Sequence, residues 1–433
     1  MPPLSSRIAR LAYSGLLRGL LPAYLLKLWW RGRHEPLYRH AVGERLGHYA
    51  DDEAPQHGWV WVHAVSLGET RAAATLVEAL RAQQPGMRLL LTHGTATGRE
   101  AGAALLRPGD EQVWLPYDTP GVVQRFFRRF HPRVGLLMET EIWPNLLLGA
   151  RAQGVPMVLV NARLSQKSLR QGQRLDAVLR PAVESLSLAL AQTEEDARRL
   201  REAGAREVRV CGNLKFDMNP APALLARGRA WRAAARRPVV LAASTREGEE
   251  PALLAAWREA LDAAALPQAP RLVLVPRHPQ RFDEVAQAVR AAGFTLARRS
   301  DWGEGPPADE SDVWLGDSMG EMPAWYAAAD VALLGGSFAP LGGQNLIEAA
   351  ACGCPVLMGP HTFNFAQAAE LSLAAGASLR CRGWSDAVAE ALALCAARRG
   401  QADAMRGAAL EFARAHRGAA ERMAQAIHAL LKG

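Results

Sequence analysis

The sequence is poor in cysteine, and the cysteines that it has form no regular pattern. Five occur in 433 residues, at Cys211, Cys352, Cys354, Cys381 and Cys395. An odd number with irregular spacing fits neither a disulfide framework nor the paired spacing of a structural zinc site. We therefore expect buried, reduced thiols in a cytoplasmic protein.

Motifs for common cofactors and metals are also lacking. No G-x-G-x-x-G follows the first predicted strand of either half of the chain, and no G-x-x-x-x-G-K-[ST] occurs. H-E-x-x-H is missing as well, and no Asp-x-Asp pair stands at the end of a predicted strand. These absences weigh against a dinucleotide cofactor, a P-loop triphosphate, a zinc protease and a metal-bound diphosphate. We expect neither a cofactor nor a metal.

A clean apolar run for crossing a membrane is lacking too, although the amino terminus comes close. Residues 8–33, IARLAYSGLLRGLLPAYLLKLWWRGR, are strongly apolar but contain Arg18 near the middle and Pro22. An unpaired charge at bilayer depth is costly. We predict a helix that lies at the membrane interface, with Trp29 and Trp30 at the level of the lipid headgroups. The alternative is a helix packed on the protein's own core.

Positive charge is in modest excess. Lysine and arginine outnumber aspartate and glutamate by 51 to 43, which gives a formal net charge of +8. The excess indicates an anionic partner, such as nucleic acid, a membrane surface or a phosphorylated substrate. A modest arginine bias from a GC-rich genome would explain it equally well. The sequence has no basic stripe with interleaved aromatic residues, which argues against nucleic acid.

What the sequence does contain is a regular alternation of apolar strands and helical patterns. One series of predicted strands runs from Trp59 to Ala191 and a second from Pro238 to Met358. Alternation at this period is typical of βαβ units and parallel sheets. Residues 212–223 (GNLKFDMNPAPA), between the two series, are rich in glycine, asparagine and proline, and we place a linker there. The sequence thus predicts an α/β protein with two doubly wound domains facing a cleft.

The second half carries polar turns after several predicted strands, where open parallel sheets bind ligands. The turns contain Ser244, Thr245 and Arg246, then Arg277 and His278, then Ser318, Met319, Gly320 and Glu321, and finally Gly343, Asn345 and Glu348. The helix that begins near Asn345 would hold a single phosphate on its free amide groups, and Glu348 would accept hydrogen bonds from ribose. Helix capping would explain each turn separately, but four turns at one sheet edge indicate a ligand site.

The first half offers carboxylates at comparable places. Glu69 follows the first predicted strand and a glycine turn, residues 66–68, while Glu139 and Glu141 follow a later strand and Arg163 ends the next one. On the residues alone, Glu69 is either a ligand-facing carboxylate or a first-turn charge that complements the helix dipole. For Glu141 we prefer the interpretation as a charge in the first turn of a helix.

Eight short stretches of the sequence, taken in order, resemble a known family. They are HAVSLGE (63–69), METEIWPN (138–145), NARLS (161–165), GNLKFD (212–217), STREGEE (244–250), PRHPQRF (276–282), DSMGEM (317–322) and GGSFAPLGGQNLIEAA (335–350). Their order and spacing are similar to those of the Kdo transferases. These enzymes move 3-deoxy-D-manno-oct-2-ulosonic acid (Kdo) from CMP-Kdo to a lipid A precursor in the lipopolysaccharide assembly of Gram-negative bacteria. The resemblance covers nearly the whole chain.

The resemblance implies a GT-B glycosyltransferase fold, in which the first domain binds the acceptor and the second binds CMP-Kdo. It also implies an inverting transfer to lipid IVA with Glu69 as the general base and without a metal or a cofactor. The residues that would contact the acceptor or the Kdo carboxylate are Ser66, Gly68, Glu139, Arg163 and Lys215, and those of the four polar turns would bind the donor. The implied location is the cytoplasmic face of the inner membrane.

The implied domain boundaries follow from the same resemblance. Residues 1–35 would form the membrane-associated segment, 36–215 the acceptor domain, 216–405 the donor domain, and 406–433 a C-terminal helix that packs back on the acceptor domain. Two other readings stay open. One is a GT-B transferase that uses another nucleotide sugar, and the other is a non-catalytic lipid-surface binding protein that keeps a GT-B shell.

Overall fold

The computed structural model describes residues 4–49, 58–263, 268–303, 305 and 311–432. By its internal contacts the chain divides into two units, residues 1–217 with 417–433 and residues 218–416. We call these unit 1 and unit 2.

Strands and α-helices alternate along both units, as the apolar periodicity predicts. The strands are β1 Trp59–His63, β2 Arg88–His93, β3 Glu111–Trp114, β4 Val134–Met138, β5 Met157–Ala162, β6 Leu188–Ala191, β7 Val208–Val210, β8 Val239–Thr245, β9 Arg271–Pro276, β10 Leu296–Arg298, β11 Val313–Leu315, β12 Val331–Leu334, β13 Val356–Met358 and β14 Ser378–Arg380. The helices are α1 Leu4–Arg31, α2 Leu67–Gln83, α3 Ala96–Ala103, α4 Pro120–Phe130, α5 Pro144–Ala152, α6 Gln166–Gln173, α7 Asp176–Val183, α8 Glu194–Glu202, α9 Pro222–Ala234, α10 Glu249–Ala263, α11 Phe282–Ala291, α12 Met322–Ala328, α13 Leu346–Ala351, α14 Ala366–Ala374, α15 Trp384–Cys395, α16 Arg399–Ala415 and α17 Ala419–Lys432.

Unit 1 is built around a seven-stranded parallel sheet in the order β3-β2-β1-β4-β5-β6-β7. One apolar core forms on each face of this sheet, the first with α2 and α17 and the second with α4, α5, α7 and α8. Every residue of β1 and β4 is therefore buried. This explains why both strands read as continuous apolar runs rather than as alternating patterns.

Unit 2 repeats the architecture with a second seven-stranded parallel sheet, in the order β10-β11-β9-β8-β12-β13-β14. Its main core contains residues of α10, α11, α15 and the central strands. The prediction of an α/β protein with two doubly wound, Rossmann-like domains is confirmed.

Two of the strands lie outside the predicted series. β7 and β14 are the last strands of their sheets, each has three residues, and most of those residues are not buried. A three-residue strand with an exposed edge carries no apolar run, so its sequence lacks the signal on which the prediction relies.

Each sheet has one place where the strand order reverses. In unit 1 it lies between β1 and β4, and in unit 2 between β8 and β12. The two connections that leave such a point run to opposite faces of the sheet, which opens a crevice at the carboxyl ends of the two strands. The predicted functional residues near Glu69 and Glu139 follow β1 and β4, and those near Ser244 follow β8.

The amino-terminal helix α1 packs on unit 1 through polar side chains. Arg10 Nε donates to Asn145 Oδ1 at 2.9 Å, and the Tyr13 hydroxyl donates to Asp118 Oδ2 at 2.9 Å. Its large apolar side chains are mostly exposed, namely Leu4, Ile8, Leu11, Leu16, Leu20, Leu26, Trp29 and Trp30. Over its first half the helix is thus amphipathic in the reverse sense, with its polar side toward the protein, whereas near its end Leu28 is buried against Tyr38 and Ala96. In the described part of the chain, no helix is both long and apolar enough to cross a membrane.

The C-terminal helix α17 packs against α2 and completes one core of unit 1. Its first turn is held by Asp217, the last residue of the GNLKFD stretch. The carboxylate of Asp217 accepts hydrogen bonds from the backbone N–H groups of Gly418, Ala419 and Ala420. A carboxylate at this position satisfies unpaired donors and complements the helix dipole.

We expect Asp217→Ala to lower the free energy of unfolding by about 2 kcal/mol, because it leaves buried backbone donors at the start of α17 without an acceptor. Urea denaturation followed by circular dichroism measures the change. Asp262→Ala, at an exposed position of α10, is the control and should shift stability by less than about 0.5 kcal/mol. An equal effect of the two substitutions would contradict the role of Asp217.

Candidate functional site

Glu69 stands in the first turn of α2, immediately after β1. Ser66 is the N-cap of that helix, and its hydroxyl oxygen accepts from Glu69 N at 3.4 Å. In return, Glu69 Oε2 accepts from Val65 N at 2.8 Å and Oε1 accepts from the Ser66 hydroxyl at 3.1 Å. This reciprocal arrangement is a form of capping box. Gly68, between them, is exposed.

The carboxylate of Glu69 is therefore both a helix cap and a partly exposed group at the switch point of unit 1. Burial raises the pKa of Glu69, and the neighbouring carboxylate of Glu139 raises it further against the opposing N–H of Val65. Capping alone does not require a raised pKa, because hydrogen bonds to the charged form act in the other direction.

Glu139 lies across the same switch point, directly after β4. Its φ of +56° is in the left-handed region, where a glutamate is uncommon. Its Oε2 is 3.0 Å from Arg163 Nε, and this arginine follows β5 and is more than half exposed. The structure thus brings Glu69, Glu139 and Arg163 to neighbouring strand ends of one sheet, as the sequence predicts.

Glu141 belongs to this group, contrary to the expectation that it is a first-turn helix charge. α5 begins only at Pro144, after the N-cap residue Trp143, so Glu141 lies in the turn before the helix. Its Oε2 accepts from Trp143 Nε1 at 2.8 Å. Burial raises the pKa of Glu141 to about 7, and the charges of Glu69 and Glu139 contribute.

A buried histidine stands behind Glu141. His63, the last residue of β1, is fully buried, and burial lowers its pKa to about 3, so the ring is neutral. Its Nδ1 lies 2.9 Å from the hydroxyl oxygen of Thr92 and 3.1 Å from the carbonyl oxygen of the same residue. Nε2 lies 3.9 Å from Glu141 Oε2 and has no hydrogen-bond partner among the described residues. The neutral imidazole of His63 thus lies next to the carboxyl group of Glu141, whose pKa is raised to about 7.

Lys215 is in a short 3-10 helix, Leu214–Asp217, that is attached to the end of β5. Asn161 has a φ of +51°, and its Oδ1 accepts from Leu214 N at 3.0 Å. Sequence reasoning did not single out Asn161. Its only signal is an asparagine at the end of a strand, the residue type that best tolerates left-handed backbone after glycine.

In unit 2, the four predicted polar turns come from four adjacent strands. β11, β9, β8 and β12 are consecutive neighbours in the sheet. Ser318, Arg277 and Gly335 follow the ends of β11, β9 and β12, and Ser244 is the second-last residue of β8. The register pairs Leu315 with Leu274, and Leu334 with Ala243, so these ends are level. The structure therefore gathers the turns at one sheet edge.

The last two residues of β8, Ser244 and Thr245, differ in burial. Ser244 has a φ of +57° and is only partly buried. The Thr245 side chain is fully buried, and its hydroxyl donates to Glu250 Oε1 at 2.7 Å. Glu250 in turn receives two hydrogen bonds from Arg281, at 2.8 and 2.9 Å. Thr245 thus supports the turn from inside the fold.

Glu249 is a residue of this site that sequence reasoning missed. Its Oε2 accepts from Arg246 N at 2.9 Å and from Gly336 N at 2.7 Å, so one carboxylate joins the turns after β8 and β12. It is buried, and burial raises its pKa. The available signal was the second glutamate of STREGEE, a buried charge at the start of a helix.

Arg277 and His278 lie on the turn after β9. Arg277 N donates to the carbonyl oxygen of Thr245 at 2.9 Å, while its side chain is exposed. His278 Nε2 is 4.0 Å from Glu247 Oε1. The backbone of this turn is therefore fixed to β8, while the guanidinium of Arg277 remains exposed at the edge.

The turn after β11 reads GDSMG (316–320), which also fits the G-x-S-x-G pattern of hydrolase nucleophiles. Ser318 does not have the partner of such a nucleophile, because its hydroxyl donates to Glu321 Oε2 at 2.5 Å. Arg299 and Arg227 also bind Glu321 and lower its pKa. A carboxylate held charged by two arginines is a poor base. Met319 and Gly320 are exposed beside it.

The last turn prepares the start of α13. Gly343 has a φ of +76°, and its N–H donates to the Gly336 carbonyl oxygen at 2.8 Å. Asn345 is the N-cap of α13 and accepts from Ile347 N at 3.2 Å. Glu348 lies in the first turn.

Comparison with known proteins agrees with this geometry. The family model described as 3-deoxy-D-manno-octulosonic-acid transferase (kdotransferase) matches residues 40–218. The 3-deoxy-D-manno-octulosonic acid transferase of Bordetella pertussis is 52% identical over 436 residues, which cover 97% of this chain and 99% of that protein. The chain belongs to the Kdo transferase family.

Other similarities extend over the whole Kdo transferase. The 3-deoxy-D-manno-octulosonic acid transferase of Haemophilus influenzae is 32% identical and covers 96% of this chain and 97% of its own length. The structure of a putative UDP-N-acetylglucosamine 2-epimerase from Listeria monocytogenes superposes with a TM-score of 0.56 at 14% identity, covering 87% of this chain and 97% of that chain. At that identity the likeness shows only a GT-B-like fold. The predictions of the family, of two Rossmann-like domains in a GT-B-like fold and of glycosyltransferase activity in lipopolysaccharide biosynthesis are confirmed. The membrane association of the N-terminal segment stays a prediction.

We expect Glu141→Gln to stabilise this Kdo transferase at pH 8 but not at pH 4. The pKa of Glu141 is raised to about 7 from an ordinary 4.5, so the unfolded chain releases its proton first as pH rises. Stability is then lost between these values and stays low above them. A pKa shift of this size can lower the free energy of unfolding by at most about 3 kcal/mol. We expect a change of about 1–2 kcal/mol because the side chain is partly exposed.

Urea denaturation of both proteins at several pH values measures this effect. Glutamine keeps an oxygen for Trp143 Nε1, so the substitution removes the charge and leaves that hydrogen bond. Glu100→Gln, at an exposed position on α3, is the matched control and should show no such pH dependence. A stability difference that is the same at pH 4 and pH 8 would refute the raised pKa.

Proposed function

We propose that this Kdo transferase moves Kdo from CMP-Kdo to a lipid A precursor, lipid IVA, with inversion and with Glu69 as the general base. The observation that carries the proposal is the Glu69 carboxylate, which is held by two hydrogen bonds at the switch point of unit 1 and has a raised pKa. A general base is most effective when its pKa is close to the working pH.

In the proposed step, an acceptor hydroxyl gives its proton to Glu69 while its oxygen bonds to the anomeric carbon of Kdo. The bond from that carbon to the CMP phosphate oxygen breaks, and its electron pair leaves with CMP. Attack from the opposite face converts the β-linked donor into an α-ketoside through an oxocarbenium-like transition state. Ser66 and Gly68 position the base.

The acceptor is assigned to unit 1 and the donor to unit 2. Glu139, Arg163 and Lys215 are proposed to contact the acceptor or the Kdo carboxylate. The Glu139–Arg163 ion pair, with Nε and Oε2 3.0 Å apart, supports this role because it presents an exposed guanidinium beside the base.

On the donor side, a single phosphate needs little charge compensation. Exposed Arg277, with His278 and the backbone N–H groups at the Asn345 cap, is proposed to stabilise the charge on departing CMP without a metal. Arg246 is assigned to the Kdo carboxylate and Glu348 to the ribose hydroxyls. Ser244, Met319, Gly320, Glu321 and Gly343 would shape the edge, and the buried Thr245 and the hydrogen-bonded Ser318 would act from behind it.

Glu69→Gln should lower kcat for Kdo transfer from CMP-Kdo to lipid IVA by about 100-fold or more. The amide oxygen can still accept from Val65 N, so the cap is kept while the base is lost. Mass spectrometry of the products measures turnover, and circular dichroism checks folding. Glu100→Gln is the control and should be as active as the wild type. A folded Glu69→Gln protein with wild-type turnover would remove Glu69 from this role.

We further propose that α1 lies on the cytoplasmic face of the inner membrane. The support is its reversed amphipathicity, since apolar side chains on the outer side of a docked helix are costly in water and favourable at a lipid interface. Arg18, Lys27, Arg31 and Arg33 in and after this helix suit anionic headgroups.

Replacing Leu11 and Trp30 together by Gln should weaken binding to phosphatidylglycerol-containing vesicles about tenfold or more, because both side chains are exposed, at 73% and 60%. Cosedimentation measures the partition. Point substitutions are preferable to deletion of the helix, which would uncover Asp118 and Asn145. Leu410→Gln, at an exposed position of α16, is the control. Unchanged binding of the double variant would contradict the interfacial role of α1.

A further inference from the structure

A cavity of about 350 Å³ lies in unit 1 beside the candidate catalytic residues. Its walls come from the end of β5, from α6, α7 and α8, and from the turn after β4. Most of its lining is apolar and includes Ile142, Leu159, Leu164, Leu169, Leu179 and Val183. Its volume is within the range of about 300–1,000 Å³ that is typical of small-molecule pockets.

The cavity is continuous with the candidate site. Thr140 and Arg163 line one end. Thr140 stands between Glu139 and Glu141 in the chain, and Arg163 is the residue that pairs with Glu139. A ligand that places one part in this cavity would therefore have its remaining part close to Glu69 and Glu139.

The cavity is covered by a helix of unusual composition. α6 and the residue after it carry Lys167, Arg170 and Arg174 and no carboxylate, and only Leu169 of the helix is buried. None of these three cations forms an ion pair with a described residue. Leu175, next to the helix, is exposed. These three cations lie on or next to a helix that lines the cavity, and Arg163 and Arg180 line the cavity itself beside one carboxylate, Asp176. This excess of positive charge suits an amphiphile with an anionic headgroup.

The far wall of the cavity connects to the proposed membrane face. α7, which lines the cavity through Leu179 and Val183, also contacts α1. An acyl chain that leaves the interface near α1 would therefore need to pass only one helix to enter the cavity.

We propose that this cavity binds one fatty acyl chain of the phosphorylated, acylated acceptor and so sets the position of the acceptor sugar. The proposal rests on the function proposed above, because it takes the acceptor to be a glycolipid. Apolar walls supply affinity for the chain, and the cations of α6 attract the headgroup.

Gly172→Leu tests the proposal, because a Cβ at this position of α6 would meet Leu179 Cδ1 at 3.7 Å, an ordinary contact. The added side chain would extend into the cavity. Ala203→Leu fills the same cavity from α8 and serves if the first variant folds poorly. Gln171→Leu adds the same side chain at an exposed position of α6 that does not line the cavity, and is the control.

The KM values for two acceptors, one with acyl chains and one without, test whether the cavity binds an acyl chain. With lipid IVA, Gly172→Leu should raise KM about tenfold, the effect of displacing roughly two methylene groups of apolar contact. With the same disaccharide after removal of its acyl chains, the variant and the wild type should have equal KM. An unchanged KM for lipid IVA, or an equal rise for both acceptors, would overturn the proposal.

Binding of the fluorescent fatty acid cis-parinarate gives a readout that does not depend on transfer. The wild type and Gln171→Leu should bind it, and Gly172→Leu should bind at least about tenfold more weakly. Equal binding by all three proteins would also overturn the proposal. A wild-type protein that binds cis-parinarate but transfers no Kdo would refute the proposed function and leave the cavity assignment standing.

Discussion

In each sheet of this Kdo transferase, one glutamate carboxylate accepts hydrogen bonds from the backbone where the first strand in chain order ends. Glu69 accepts from Val65 N in unit 1, and Glu249 accepts from Arg246 N and Gly336 N in unit 2. The two carboxylates differ in surroundings. Glu249 is buried and ties two strand ends together, whereas Glu69 is partly exposed and ties only its own turn. A carboxylate of the first kind is structural, and one of the second kind retains a face for chemistry.

The electrostatic consequence is largest in unit 1. Three carboxylates, Glu69, Glu139 and Glu141, meet at one switch point, and Arg163 pairs with one of them. Like charges at short range raise one another's pKa, and burial adds to the effect. Glu69 and Glu141 thus hold a proton more readily than isolated glutamates would, which suits the proposed transfer of a proton from an acceptor hydroxyl.

The fold was predictable because parallel strands buried on both faces leave long apolar runs, and the site edge was predictable because strand ends in such sheets converge. The contributions of Glu141 and Glu249 were not. Their sequence context is that of ordinary glutamates at helix starts, and their environment depends on His63 and Gly336, which are far away in sequence. The edge strand Val208–Val210 was not predicted for a different reason, since its three partly or fully exposed residues carry no periodic signal.

Backbone strain at the site was also invisible in the sequence. Glu139, Asn161 and Ser244 each have positive φ at the end of a strand, and such residues cost on the order of 1–3 kcal/mol. The composition gives little warning, because only asparagine among them favours this region. The structure shows what holds two of them, since Arg163 pairs with Glu139 and Leu214 N binds Asn161. Strain that is fixed by such contacts keeps the side chains in one orientation.

The METEIWPN stretch shows why one short motif carries so much of the family resemblance. Its glutamates, Glu139 and Glu141, belong to the carboxylate group at the switch point. Six residues after Glu139, Asn145 accepts a hydrogen bond from Arg10 of α1, and its own N–H donates to Asp118, which also binds Tyr13. The same turn therefore fixes the helix proposed to lie on the membrane and the residues proposed to act on the acceptor. Because the proposed glycolipid acceptor would be confined to the bilayer, a fixed distance between the helix proposed to lie on the membrane and the proposed base, Glu69, would set the depth at which the two meet.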